Sequence, residues 1–312
     1  MTPLVELFLR RCQSYHTSIW EAMEEQVDRL RHEVGGTARG TLEKYFHARN
    51  VRRCDVTLNL EADGATRPLG SSFSDGFVME VRAGLPGARH RFTEAHELCH
   101  TFFYELVPEV KFRPHDRDPL EERLCNHGAA ALLVPRDGLA NLVAKRPVSL
   151  ETLEDLSRVY GVAQETMFMR LRHLGLWHRH LSIWHRCTSG RYMSLQAYGW
   201  TKGEWNWVDE DALDLAWEQS ATVTGRTFVY REDSHGHSFA LPLHYEARRN
   251  GKVVTVLSGD GPMGEPEATL SLWSKQNRGA AIRGEKGLTG RALKARRRRE
   301  MAGAEIRKVA DW

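Results

Sequence analysis

The five cysteines, Cys12, Cys54, Cys99, Cys125 and Cys187, never form a C-x-x-C pair. Their scatter argues against a zinc ribbon or a disulfide framework and fits a reducing compartment. Long apolar runs are missing too, with none near the roughly 18 residues needed to cross a bilayer. A secretory signal places basic residues before its apolar stretch, whereas MTPLVELFLRRCQSYH carries Arg10 and Arg11 after it. The expectation is a cytoplasmic protein with no membrane partner. Internal repeats are absent as well. The chain as a whole lacks an excess of either charge, at a net +3. With 41% hydrophobic and 27% charged residues, 312 residues suit a soluble globular protein of two or three domains.

The near balance of charge hides an asymmetry. Residues 275–312 hold 12 Lys/Arg and 4 Asp/Glu, net +8, against 32 and 37, net −5, over the rest. Within this tail Lys294 is followed by Arg296, Arg297, Arg298 and Arg299 in an unbroken run. Such a block is commonly a solvated segment; the sharper reading is that these five side chains contact nucleic-acid phosphates. Trp273 borders this tail, and stacking on bases would need help from the preceding domain, for example Trp200, Trp205 or Trp207.

Periodicity divides the remainder. Ile19, Met23, Val27, Leu30 and Val34 recur at helical spacing until Gly35-Gly36. Residues 38–48 read as a second helix, and DVTLNL (55–60) and FVMEVR (77–82) as strands around a turn-rich stretch. Helices are expected over 92–105 and 122–134, the latter ended by Pro135, with a loop over 106–118. From Ser149 to about 174 the pattern is a helix-turn-helix. Ser149 is its N-cap, Glu151 suits the first turn, Leu150, Leu153, Leu156 and Val159 make an apolar face, and Gly161 and Gly175 mark turn and end. Beyond Trp177, LSIWHRC, RYMSLQAYGW, RTFVYRE, HSFALPLHYEAR and KVVTVLSG read as strands, interrupted by one helix near 210–220.

Chemistry concentrates in RFTEAHELCHTFFYE (91–105). His96 and His100 are one turn apart on one helix face, so both imidazoles can meet one ion. Glu97 lies about 100° around from His96, beside such an ion, where a carboxylate can take a proton from an attacking water. The flanks, Phe92, Ala95, Leu98, Phe102 and Phe103, are apolar, so the helix is expected to be buried. The next helix offers Glu122 as a third ligand, with Glu121 as the competing carboxylate. Asn126, four residues after Glu122, can orient a ligand. Two imidazoles and a carboxylate suit zinc, with manganese the alternative. Tyr104 is a candidate donor to a developing oxyanion; His115 and His127 are weaker candidates.

Three motifs in order, RFTEAHELCH, then E-x-x-C-N-x-x-A-A-A-L-L-V-P, then LEDLSRVYGV…RLRHLGL, resemble the ImmA/IrrE family of metallo-endopeptidases over roughly 40–176. The resemblance implies an α+β fold: a mainly helical, zincin-like core with a small sheet, a helix-turn-helix pair, and a C-terminal α+β domain resembling a GAF fold. Boundaries follow at 1–146, 147–178 and 181–270, with a tail over 271–312. It also implies metal ligands His96, His100 and Glu122 and the general base Glu97. The implied activity is a gluzincin-like cut in a helix-turn-helix transcriptional repressor. Stress, DNA-damage or anti-phage defence genes are then switched on, with single-stranded DNA as activator in the defence branch. One position departs: the family has glycine where this chain has Cys99, expected to be a small buried thiol behind the site. The competing function is a DNA-binding regulator with a vestigial metal site, reading through Arg158, Arg170 and Arg172 of the helix pair. Gln164 and Glu165 at the start of its second helix count against that. A third, a sensory ligand-binding protein, would rest on 181–270 alone.

Overall fold

The computed structural model describes residues 6, 8–10, 18–36, 41–57, 62–70, 73–104, 118–199, 204–207, 210–232, 238–259 and 263–264. The expected loop over 106–118, apart from Asp118, lies outside them, as do His115, Trp200 and Trp273. The basic run expected to meet nucleic acid, Lys294, Arg296, Arg297, Arg298 and Arg299, lies outside the described residues too. The fold is α+β and divides into two compact units, Met1–Leu139 with Leu156–Arg170, and Ala140–Asp155 with Leu171–Trp312. Residues 147–178 contribute to both. No helix among the described residues is long and apolar enough to cross a membrane.

The first unit opens with α1 (Ile19–Glu33), whose start is written in its capping box: Ser18 accepts from the Glu21 N–H and the Glu21 carboxylate accepts from the Ser18 N–H. Met23, Val27 and Leu30 bury its apolar stripe. A short α2 (Glu43–Ala48) leads into β1 (Val51–Val56), which begins four residues before the expected strand; 58–60 lie outside the described residues. The turn-rich stretch contains a strand that its glycine and proline conceal, β2 (Gly64–Pro68). Both residues are tolerated because β2 is an edge strand. Between them runs β3 (Phe77–Arg82), parallel to β1 and antiparallel to β2. Phe77, Val78, Met79 and Val81 are all buried, as a central strand covered on both faces requires.

Two helices carry the chemistry. α3 (Gly87–Tyr104) starts five residues before the expected helix and packs on β2 and β3. Arg49 closes its far end. The Arg49 guanidinium donates to the Thr101 hydroxyl and carbonyl at 3.1 and 3.0 Å and covers the Phe73 and Phe102 rings, a cation where the helix dipole is negative. α4 (Pro119–Leu133) begins where Asp118 accepts from the Leu120 N–H and Pro119 takes a first-turn position that needs no donor. It packs against α3 and α1, and α5 (Arg136–Val143), not anticipated, follows Pro135.

The helix pair is α6 (Leu150–Tyr160) and α7 (Gln164–His173), with Ser149 capping the Thr152 N–H and Gly161 and Gly175 at positive φ. Its apolar face differs from the expected one by a single residue. Val159 is 49% exposed, and Tyr160, one full turn after Leu156, is buried instead. Arg170 is also not the surface cation expected. It is 1% exposed and donates to the Val134 carbonyl at 3.0 Å and to both Glu24 oxygens at 2.6 and 3.3 Å. A guanidinium so enclosed cannot reach a phosphate.

The second unit is built on an antiparallel sheet ordered β5-β4-β9-β8-β7-β6: β4 (His180–Arg186), β5 (Tyr192–Tyr198), β6 (Glu204–Trp207), β7 (Val223–Glu232), β8 (Ser238–Asn250) and β9 (Val253–Gly259). β6 is the strand not foreseen. One helix, α8 (Glu210–Gln219), covers one face, burying Leu213 and Ala216 with Tyr245, Ala247, Val254 and Val256. Tyr192 packs against this cluster and donates to Asp214 at 2.9 Å; burial and that acceptor together raise its pKa.

Candidate metal centre

The helical spacing of His96 and His100 places their Nε2 atoms 3.1 Å apart. Both face the Glu122 carboxylate, His96 Nε2 at 3.1 Å from Oε2 and His100 Nε2 at 3.5 Å from Oε1. One ligand atom from each of the three lies within 4.8 Å of the others, the only such group of three or more among the described residues. Two nitrogens bound to zinc at 2.0–2.1 Å and a tetrahedral angle stand about 3.3 Å apart, so the observed spacing fits a cation between them. Without one, two ring lone pairs would face each other beside a carboxylate.

The tautomers that this requires are set from behind. His96 Nδ1–H donates to Asn126 Oδ1 at 2.8 Å, and His100 Nδ1–H donates to Glu121 Oε1 at 2.8 Å. Each bond leaves Nε2 as the bare donor atom and fixes its ring. Asn126 is thus the residue behind the His96 ring. Glu121 does something the sequence reading had not assigned. Weighed only as a rival ligand, it is buried and orients His100. The signal was its place: Glu121 precedes Glu122, about 100° around α4, and so faces the ring's far side. Glu121→Gln is expected to weaken metal binding about 10–100-fold without removing it, because the amide is a poorer acceptor for the ring N–H. Competitive titration with a chromogenic chelator reads this directly; unchanged affinity would reduce Glu121 to packing.

Glu97 is 2% exposed and turned toward β2. Gly64 makes that approach feasible: a Cβ there would stand 2.8 Å from Glu97 Cγ and 3.0 Å from its Oε1. The Thr66 hydroxyl donates to the Glu97 carbonyl at 3.1 Å, tying strand to helix at this residue. Tyr104 lies at the end of α3 with its ring 5.4 Å from that of Phe77. His127 Nε2 lies 3.0 Å from Glu24 Oε1, on the carboxylate that also pairs with Arg170.

Behind the ligands, Cys99 is fully buried, and burial pushes its thiol well above the ordinary range. A thiol held protonated is a poor nucleophile and redox handle. Its room comes from Gly128 on α4, where a Cβ would stand 2.8 Å from Cys99 Sγ and 2.9 Å from Met23 Sδ. Gly128→Ala should therefore cost about 1–3 kcal/mol by overpacking. Adding Cys99→Ala should recover part of that loss, which urea unfolding of the single and double variants would show. A neutral Gly128→Ala would mean that the helices can part freely here.

Residues 52–172 match the family model described as "IrrE N-terminal-like domain", Peptidase_M78. No curated protein matches the chain. Among solved structures, a Mycobacterium tuberculosis transcriptional regulator is similar at 17% identity and a TM-score of 0.45, covering 76% of this chain and 86% of that one.

Proposed function

Because residues 52–172 belong to the ImmA/IrrE family, we propose that this chain is a zinc-dependent endopeptidase whose substrate is a helix-turn-helix transcriptional repressor. The observation that carries the reading is the convergence of His96 Nε2, His100 Nε2 and the Glu122 carboxylate, with Glu97 on the adjoining face of the same helix. His96, His100 and Glu122 would hold the ion, and manganese is the alternative occupant. When bound, the metal supplies Lewis acidity to the scissile carbonyl and lowers the pKa of a nearby water.

The protein's own groups do the rest. Asn126 and Glu121 hold the two rings in register. Glu97 takes the proton of the attacking water and returns it to the leaving amine. Tyr104 offers its hydroxyl to the oxyanion. Cutting the repressor would release stress, DNA-damage or defence genes, with the C-terminal domain as a GAF-like sensor. Single-stranded DNA would act as the signal through Lys294, Arg296, Arg297, Arg298 and Arg299, a reading supported by the concentration of positive charge in that tail. The alternative of DNA reading by α6 and α7 has lost Arg170 to the interior.

The test is co-expression with the small helix-turn-helix protein encoded nearest this gene. Cleavage of that protein is expected, stopped by a chelator, restored by zinc and raised by single-stranded DNA. Intact repressor under every one of these conditions would sink the reading.

A further inference from the structure

One face of the second unit's sheet carries a row of cations that neither the peptidase centre nor the basic tail uses. The strand register opposes Arg226 of β7 to His244 of β8, and His244 to Gly259 of β9. Directly opposed residues of an antiparallel pair share a sheet face, so these three positions form one line across three strands. The last of them has no side chain, and Arg179 takes the place. A Cβ at Gly259 would stand 2.5 Å from Arg179 Nη1 and 3.1 Å from its Cζ, so the guanidinium lies over Gly259 on the face that His244 shares. Arg179 stands one residue before β4, whose His180 pairs with Ser258. Its carbonyl accepts from the Arg172 guanidinium and packs on a second glycine, Gly199, where a Cβ would stand 2.8 Å from that oxygen. Backbone and side chain of Arg179 are thus both set by glycines.

The row runs from interior to surface. Arg179 is 1% exposed, His244 is half-buried and Arg226 is exposed. Burial, then Arg226, then Arg179 lower the pKa of His244, so both guanidiniums act on one ring. The next row on the same face is Thr224, Glu246, Leu257 and Leu181. Burial raises the pKa of its one acid, Glu246, against the opposing pull of the Leu150 backbone and Arg248.

A guanidinium fork matches the oxygens of a carboxylate or a phosphate. A carboxylate is flat, and a single fork satisfies its two oxygens. Two forks and an imidazole suit a tetrahedral group with more acceptors. Strands about 4.8 Å apart put the row within roughly 10 Å, a span that long arginine side chains can close. We propose that Arg179, His244 and Arg226 form a phosphate-binding site on the second unit, with Arg179 the fixed inner donor and Arg226 the outer one that a solute meets first. The phosphate can belong to a small soluble compound or to a nucleic-acid backbone.

Isothermal titration of the full chain with pyrophosphate and with inorganic phosphate, at constant ionic strength, should show saturable binding with a Kd on the order of 1 mM or below. Arg226→Glu should weaken it at least about tenfold, the scale of one charge-assisted hydrogen bond, while Arg226→Lys keeps most of it. Because Arg226 is exposed, both variants should melt as the native chain does. The basic tail is present in all three proteins, so a difference among them belongs to the row. A short single-stranded oligonucleotide added first should abolish the pyrophosphate signal if the site takes its phosphate from a strand, and leave it if the ligand is a small compound. The absence of saturable phosphate binding overturns the proposal, as does binding that Arg226→Glu leaves unchanged or that acetate matches at the same ionic strength. No substrate protein enters these measurements, so their failure would leave the peptidase reading where it stands.

Discussion

Glu97→Gln is expected to keep its metal and lose cleavage by at least about 100-fold, the lower end of what a positioned general base contributes. Gln matches Glu in shape, so it fits the slot that Gly64 leaves beside Glu97, where even a methyl group on the strand would collide. Thr66 bonds the backbone carbonyl of residue 97 and not its side chain, so strand β2 stays tied to α3 in the variant. His96, His100 and Glu122 are untouched, and with them the donor set. What is lost is the capacity to hold a proton between attack and departure of the amine, because an amide does not take one up near neutral pH. Metal analysis and a timed cleavage assay on the same preparation separate the two properties. Wild-type cleavage by Glu97→Gln would remove the assigned base; loss of metal along with activity would make Glu97 part of the binding site.

Much of this centre was legible from spacing alone. Two histidines four apart on an apolar-flanked helix dictate a shared face, and a second helix with Glu122 and Asn126 one turn apart can present both to it. Spacing within one helix says less about which side of a neighbouring ring a carboxylate will meet, and so Glu121 was read as a rival to Glu122. Five strands of the second unit were legible as runs of β-branched and aromatic residues between polar turns, whereas the four-residue β6 is too short to show a pattern. β2 was not legible either, since Gly64 and Pro68 are strand breakers that only an edge position beside Glu97 excuses. Val159 and Arg170 show a third kind of limit. Periodicity places Val159 on the buried face and charge places Arg170 on the surface, and each is the reverse; for Arg170 the outcome is decided by partners distant in sequence, Glu24 and Val134.

That buried arginine carries the second large expected effect. Glu24 receives Arg170 through two oxygens and His127 through one, joining α1, α4 and α7 within the first unit. Burial alone would raise the Glu24 carboxyl, but the hydrogen bonds from His127 and Arg170 outweigh it and hold the pKa well below the ordinary carboxylate range. Removing one partner of such a pair leaves a buried charge uncompensated. Glu24→Ala should therefore destabilise the chain by about 3–5 kcal/mol at pH 7. Arg170→Met in the same background should return much of that loss, since well-packed apolar replacements of a buried ion pair are often close to neutral. The pH dependence has a fixed sign. A carboxyl depressed in the folded state contributes its full stability above its unfolded pKa, near 4.5, and loses it as pH falls below that value. The gap between native chain and Glu24→Ala should thus be widest at neutral pH and narrow progressively below about pH 4.5. Urea denaturation followed by circular dichroism across that range measures both effects. A gap that stays constant with pH would show that Glu24 acts through its bulk and not its charge.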